Sequence, residues 1–256
     1  FPTPDLALIL LCDPEIAMQR IQRRAEEEGK SISPDEEHTK IVKLRNRYLE
    51  VAQTLPYAHV VNTNGRGEAI DLVIRSHTND LLGVKMKKAV FLDKDGTLVD
   101  NHGYPEIIPS DAFFSWTFPA LRTLQSKGYE LFIISSQPWV ARGRMTEQEV
   151  EGVFQSVSRQ CAAQGITIQG YGYCIHSGNI CPDKKPSTRL LEKIIDKYNL
   201  DTRQSWMIGD DNRDVQTGQN IGLQTIMVDS GHTQEREGPA IPTHRVKDLL
   251  AAAEIV

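Results

Sequence analysis

The chain has 256 residues, enough for one large domain or two smaller ones, and its 39% hydrophobic and 25% charged content is that of a globular protein. A net charge of −5 and a pI near 5.8 argue against a surface that coats nucleic acid. The longest obvious apolar run, LALILLC at 6–12, falls well short of the roughly 18 residues a membrane span needs.

The opening FPTPD has no signal-peptide pattern, so a cytoplasmic protein is expected, its first residues removed or never included. Residues 6–12 predict a strand buried on both faces. Asp13-Pro14-Glu15 then supplies a capping acid, a proline at the first helical position and a first-turn acid, for a helix that ends at Gly29. Ser33-Pro34-Asp35-Glu36 reads as a capping box for a second helix, on which Ile41, Leu44, Tyr48, Val51 and Leu55 recur at helical spacing. AHVVN at 58–62 predicts a strand and 67–82 a third helix. Gly29-Lys30-Ser31 imitates the end of a P-loop. That motif needs a glycine where Arg24 stands and a preceding strand where a helix is expected, so the P-loop reading is rejected.

KMKK at 85–88 divides the chain into regions 1–84 and 85–256. Beyond it the pattern runs strand (89–92), helix (about 118–127), strand (130–135), helix (about 146–164) and strand (near 170–174). Helix (187–198), strand (205–208), helix (213–221), strand (223–228) and helix (about 246–254) follow. Such alternation means an α/β fold with a doubly wound parallel sheet. Ligands of such sheets bind outside the carboxyl ends of the strands, and the polar clusters Asp93–Thr97, Ser135–Gln137 and Gly209–Asp214 each follow an apolar strand.

Asp93 and Asp95 leave a buried strand two residues apart, and Asp210 leaves another. Like charges that close resist joint ionisation unless a cation joins them. Hard oxygen ligands from separate loops suit Mg²⁺, which would let one carboxylate attack phosphorus and form an aspartyl-phosphate. Thr97 and Ser135 can hold phosphate oxygens, Lys185 can balance charge, and Asp214 can fix that lysine. As acidic turn residues alone, Asp93 and Asp95 would leave Asp210 and Lys185 unexplained.

Asp93-Lys94-Asp95-Gly96-Thr97, then Ser135, Lys185 and Gly209-Asp210-Asp211-Asn212-Arg213-Asp214, resemble the four motifs of haloacid-dehalogenase (HAD) phosphatases. FLDKDGTLVDNHGY, IISSQPWVARG and SWMIGDDNRDVQTGQNIGL narrow the likeness to the histidinol-phosphate and D,D-heptose 1,7-bisphosphate phosphatases, over about residues 88–256. The resemblance implies a Rossmann-like HAD fold without a large cap. Asp93 would be the nucleophile, Asp95 the general acid/base, and Mg²⁺ would sit on Asp93, the Asp95 carbonyl and Asp210. Ser135 and Lys185 would bind the transferring phosphate, with Ser136 and Lys184 beside them. Short loops at 100–110 and 137–144 would set specificity. Arg142 is either a contact for the distal part of the substrate or a solvated loop charge.

The heptose-phosphatase relatives carry a zinc loop, Cys-x-His followed by Cys-x-Cys. Here CIHSGNICPDKKP offers Cys174, His176 and Cys181, with Asp183 where the last cysteine would fall. Three such ligands and a carboxylate can hold structural Zn²⁺. The alternative is a decayed loop with two ordinary thiols.

PDLALILLCDPEIAMQRIQRR, the 40–55 helix and AHVVNTN resemble the C-terminal half of thymidylate kinase-like nucleotide kinases, over about 4–82. In those enzymes Arg20, Arg23 and Arg24 would lie beside the phosphate lid; otherwise they form a solvated helix face. The half that would bind nucleotide phosphates is absent from this sequence, which suggests a kinase–phosphatase fusion. The main expectation is an Mg²⁺-dependent phosphomonoesterase for a small phosphorylated metabolite such as a sugar bisphosphate or histidinol phosphate. The alternatives are the phosphatase half of a nucleotide or polynucleotide kinase-phosphatase, or a first region that serves as an interaction module.

Overall fold

The computed structural model describes residues 3–32, 37–65, 67–100, 109–178, 181–231 and 238–256. The expected capping box at 33–36 and most of the specificity loop at 100–110 lie outside them.

The first region runs β1 (Ala7–Leu11), α1 (Pro14–Glu28), α2 (His38–Thr54), β2 (Ala58–Asn62) and α3 (Gly67–Leu81). β1 and β2 form a two-stranded parallel sheet, Ala7 opposite Ala58 and Leu11 opposite Asn62. Asp13 is extended at the N-cap of α1 and Pro14 takes the first turn, as the sequence predicts. Gly29 closes α1 at φ +63, so Gly-Lys-Ser is a helix end and no phosphate cradle. Arg20 donates to the carbonyls of Thr63, Asn64 and Gly65 at 2.7, 2.9 and 2.9 Å, which ties α1 to the end of β2.

α3 buries Ala69, Leu72, Val73 and Ser76. It carries the first region onto the second: Ala69 and Leu72 share one apolar core with Ala89, Phe91, Phe132 and Met207. Arg75 pairs with Asp196 at 2.8 Å and Arg203 with Asp80 at 3.0 Å across the same contact.

The second region holds β3 (Ala89–Leu92), α4 (Thr117–Ser126), β4 (Glu130–Ser136), α5 (Glu147–Ala163), β5 (Ile168–Cys174), α6 (Arg189–Tyr198), β6 (Trp206–Gly209), α7 (Asn212–Asn220), β7 (Gln224–Val228), β8 (His244–Val246) and α8 (Leu249–Ile255). Among the described residues its six strands are all parallel, in the order β5-β4-β3-β6-β7-β8. Side-chain alternation splits β3 between two cores: Val90 and Leu92 face one layer of helices, Ala89 and Phe91 the other. β8 corrects the expected helix from about 246. His244–Val246 extend the sheet beside β7, and α8 begins only at Leu249, where the Asp248 carboxylate accepts from Ala251 N–H at 2.8 Å.

β3 lies between β4 and β6, the point at which the chain switches direction across the sheet. A crevice therefore opens above its carboxyl end.

Candidate active site

The loop after β3 turns tightly. Gly96 N–H bonds to Val99 O at 2.8 Å, Leu98 N–H to Lys94 O at 2.9 Å, and Gly96 adopts φ +83. Asp93 therefore stands at the strand end with its N–H still on Ile208 O of β6. Asp210 leaves β6. Asp211 caps α7, and Asp214 completes that capping box by accepting from Asp211 N–H at 3.2 Å. Lys185 arrives from the loop before α6 and donates to Asp93 Oδ1 at 2.6 Å and Asp214 Oδ1 at 2.5 Å. Carboxylate oxygens of Asp93, Asp210 and Asp214 lie within 4.8 Å of one another, all three residues buried.

Burial pushes the Asp93 carboxyl up to about 7, against the pull of the Lys185 ammonium and with the push of Asp214 and Asp95. Burial likewise raises Asp214 despite its lysine. Burial alone would lower Lys185, but Asp214 and Asp93 outweigh it and hold the ammonium above the ordinary lysine range. Three buried acids thus face one lysine, which leaves room in the charge balance for a divalent cation. The backbone makes space for the Asp210 carboxylate. A Cβ on Gly231 would lie 1.7 Å from Asp210 Oδ2, and one on Gly96 2.6 Å from the same atom.

The crevice is an open cleft of about 920 Å³. Asp93, Asp95, Ser135, Ser136, Arg142, Lys184, Lys185, Asp210 and Asp214 all line it. Thr97 is not among the lining residues: it is fully buried, and its Oγ1 has no partner among the described residues. The motif gives its residue type but not the direction of its side chain. Arg142 lies over the Trp139 ring, 5.0 Å from the centroid, and Lys184 Nζ donates to Gly178 O at 2.9 Å.

Sequence reasoning did not single out Lys94, Gln137, Trp139 or Arg213. Trp139 and Arg213 line the cleft, and Lys94 and Gln137 both touch Asp95. The available signal was position: Lys94 separates the two aspartates, and Gln137 follows the serines at the end of β4.

Cys174, His176 and Cys181 come together as expected. Cys174 Sγ and Cys181 Sγ are 3.2 Å apart, and Cys181 Sγ lies 3.2 Å from His176 Nδ1. Asp183 does not join them; it faces Arg189 at 3.7 Å and Lys193 at 3.8 Å. The carboxylate expected as the fourth ligand lies near two cations on α6 and outside the Cys174–His176–Cys181 group, so the described loop supplies three donors.

Residues 183–252 match the HAD-hydrolase-like family. The chain is 32% identical over 161 residues to the D-glycero-beta-D-manno-heptose-1,7-bisphosphate 7-phosphatase of Pasteurella multocida, covering 60% of this chain and 88% of that one. The enzyme of the same name from Haemophilus ducreyi is 34% identical, with coverage of 59% and 88%. In fold, the chain is similar to D,D-heptose 1,7-bisphosphate phosphatase from B. bronchiseptica, solved with magnesium and phosphate. The TM-score is 0.59 at 22% identity, over 66% of this chain and 97% of that one. No helix among the described residues is long and apolar enough to cross a membrane.

Proposed function

We propose, for a chain that belongs to the HAD-like phosphatases and is a phosphoric monoester hydrolase, that its substrate is a small sugar bisphosphate, with D-glycero-D-manno-heptose 1,7-bisphosphate foremost. The observation that carries the reading is the convergence of Asp93, Asp210, Asp214 and Lys185 at the sheet's switch point. In this reading Asp93 attacks phosphorus while Asp95 gives its proton to the departing alcohol oxygen, leaving an aspartyl-phosphate. Water then attacks that phosphorus, Asp95 takes the water's proton, and inorganic phosphate and free Asp93 result. Lys185, with Ser135, receives the phosphoryl oxygens. Asp214 holds Lys185 in place from the first turn of α7. Asp93 and Asp210 fit Mg²⁺, which when bound supplies charge neutralisation for the incoming phosphoryl group.

The substrate choice draws on the names of the relatives and on the cleft. About 920 Å³ exceeds what one phosphate needs, and Arg142, Lys184 and Arg213 bring positive charge to its walls. The Cys174–His176–Cys181 set would take Zn²⁺ with a fourth ligand from outside the three, to stiffen the loop that presents Lys184 and Lys185.

The test is phosphate release across heptose 1,7-bisphosphate, histidinol phosphate, nucleotides and a 3′-phosphorylated oligonucleotide, in Mg²⁺ and in EDTA. The expected result is the highest kcat/KM for the heptose bisphosphate and reversible loss on chelation. Asp93→Asn should lower turnover by about 10⁴-fold or more. Preference for the oligonucleotide would overturn the substrate class, and an active Asp93→Asn would remove the nucleophile.

A further inference from the structure

On the reading that Asp95 is the acid–base group, its carboxylate must offer an oxygen first to the leaving group and then to water. Both oxygens are already held by protein donors. Lys94 is 2% exposed, and its ammonium meets Asp95 Oδ1. Gln137 is 4% exposed, and its Nε2 donates to Asp95 Oδ2 and to Ser135 Oγ, each at 2.9 Å. The Gln137 main-chain N–H is anchored in turn on Cys174 O at 2.7 Å. The two donors therefore reach one carboxylate from the ends of two adjacent strands, β3 and β4, and the second is tied to β5.

An apolar side chain would fill the space of Lys94 without the cost of burying an ammonium, which is high unless the charge is paired. An amide buried after β4 likewise needs partners, and here it has the two oxygens that matter to the reaction. We infer that Lys94 and Gln137 are positioning residues that fix the rotation of the Asp95 carboxylate and couple it to Ser135. Each acts through the Asp95 carboxylate. They set where the proton-transfer oxygen stands.

This role predicts a dependence on the leaving group. An alkoxide leaves poorly without a proton, whereas p-nitrophenolate departs without one, so misplacing the acid penalises alkyl esters selectively. kcat/KM is measured with an alkyl phosphate (glycerol 1-phosphate) and with p-nitrophenyl phosphate, for wild type, Asp95→Asn, Lys94→Met, Lys94→Arg and Gln137→Leu. Asp95→Asn should lose about 10²–10⁴-fold on the alkyl ester and much less on the aryl ester. Lys94→Met and Gln137→Leu should repeat that split at about 10–100-fold, the usual cost of removing a supporting hydrogen bond at such a site. Lys94→Arg, which keeps the charge, should restore most of the loss.

Equal losses on both esters in Lys94→Met and Gln137→Leu, with the split kept in Asp95→Asn, would overturn the positioning role while Asp95 stays the acid. Absence of the split in Asp95→Asn would remove Asp95 itself, and the inference with it. Should Lys94→Met fail to fold, Gln137→Leu and Lys94→Arg carry the same comparison.

Discussion

Asp210 Oδ2 is packed against two glycines, Gly96 at φ +83 in the loop after β3 and Gly231 in the loop after β7. The contact with Gly231 is the tighter, because a Cβ there would stand 1.7 Å from the carboxylate oxygen and 2.4 Å from its carbon. Gly231→Ala must therefore displace either the Asp210 side chain or the backbone after β7. Displacing the side chain costs less and moves a proposed metal ligand, so the Mg²⁺ concentration for half-maximal activity should rise about 10–100-fold, with little change in Tm. Activity titrated with Mg²⁺, alongside thermal melts in EDTA, checks this. A lowered Tm with an unchanged Mg²⁺ requirement would show that the backbone yields instead. Residue identity in the sequence pointed to Asp93, Asp95 and Asp210, since carboxylates directly after apolar strands have few structural reasons to be there. It did not reveal that Thr97 is fully buried or that Asp183 stands apart from the two cysteines and the histidine, because residue type does not report which way a side chain turns. Thr97 Oγ1 is buried without a partner among the described residues, and Asp183 lies near Arg189 and Lys193 on α6.

Among the elements, α3 is the one on which the first region depends, and its polar contacts are as specific as its apolar ones. Ser76 Oγ accepts from Thr202 N–H at 3.1 Å, and His77 rests against His59 of β2 with ring centroids 4.9 Å apart. His77 Nδ1 is buried without a partner among the described residues. Burial, with Arg203 nearby, lowers the pKa of His77 below the ordinary imidazole value, although Asp201 and Asp80 pull the other way. The unfolded chain takes this proton near 6.5, while the folded chain takes it only at lower pH. Within that window the unfolded state binds more protons, so stability rises with pH and falls on acidification. Wild-type Tm should therefore drop more steeply below about pH 6.5 than that of His77→Phe, which has no proton to take up. Parallel slopes from pH 7.5 to 5 would mean that other groups dominate. The same contact shows what sequence pattern conveys about elements. β3, β4, β6 and β7 were legible as apolar runs because both faces of a parallel strand are buried. β8 was not, since His244 and Arg245 are exposed and polar at the edge of the sheet. The strand exists through its pairing with β7, which no local pattern encodes.

Across the whole molecule, the site gathers side chains from residues 93 to 214, more than a hundred positions apart, at one end of one sheet. That convergence was legible in advance because alternating strands and helices fix which strand ends share an edge. The hydrogen bonds from Lys94 and Gln137 to Asp95 were not, since they depend on side-chain directions across two strand ends. The collected charges also have a global consequence. Asp93, Asp210 and Asp214 are buried together against one lysine, and each pair of like charges in that space opposes folding. A cation that binds the folded site and not the unfolded chain stabilises by RT ln(1 + [L]/Kd), about 2.7 kcal/mol at a hundred times Kd. For a chain of this size that corresponds to a rise of roughly 5–10 °C in Tm. Mg²⁺ should produce such a rise, and Na⁺ at equal ionic strength should not. Asp210→Asn should lose most of the response, yet in EDTA it should melt no lower than wild type, because it removes one of the three mutually repelling groups. Differential scanning calorimetry of both proteins, with and without Mg²⁺, reads these shifts. A full Mg²⁺ response retained in Asp210→Asn would place the cation elsewhere than on the carboxylates at the head of β3 and β6.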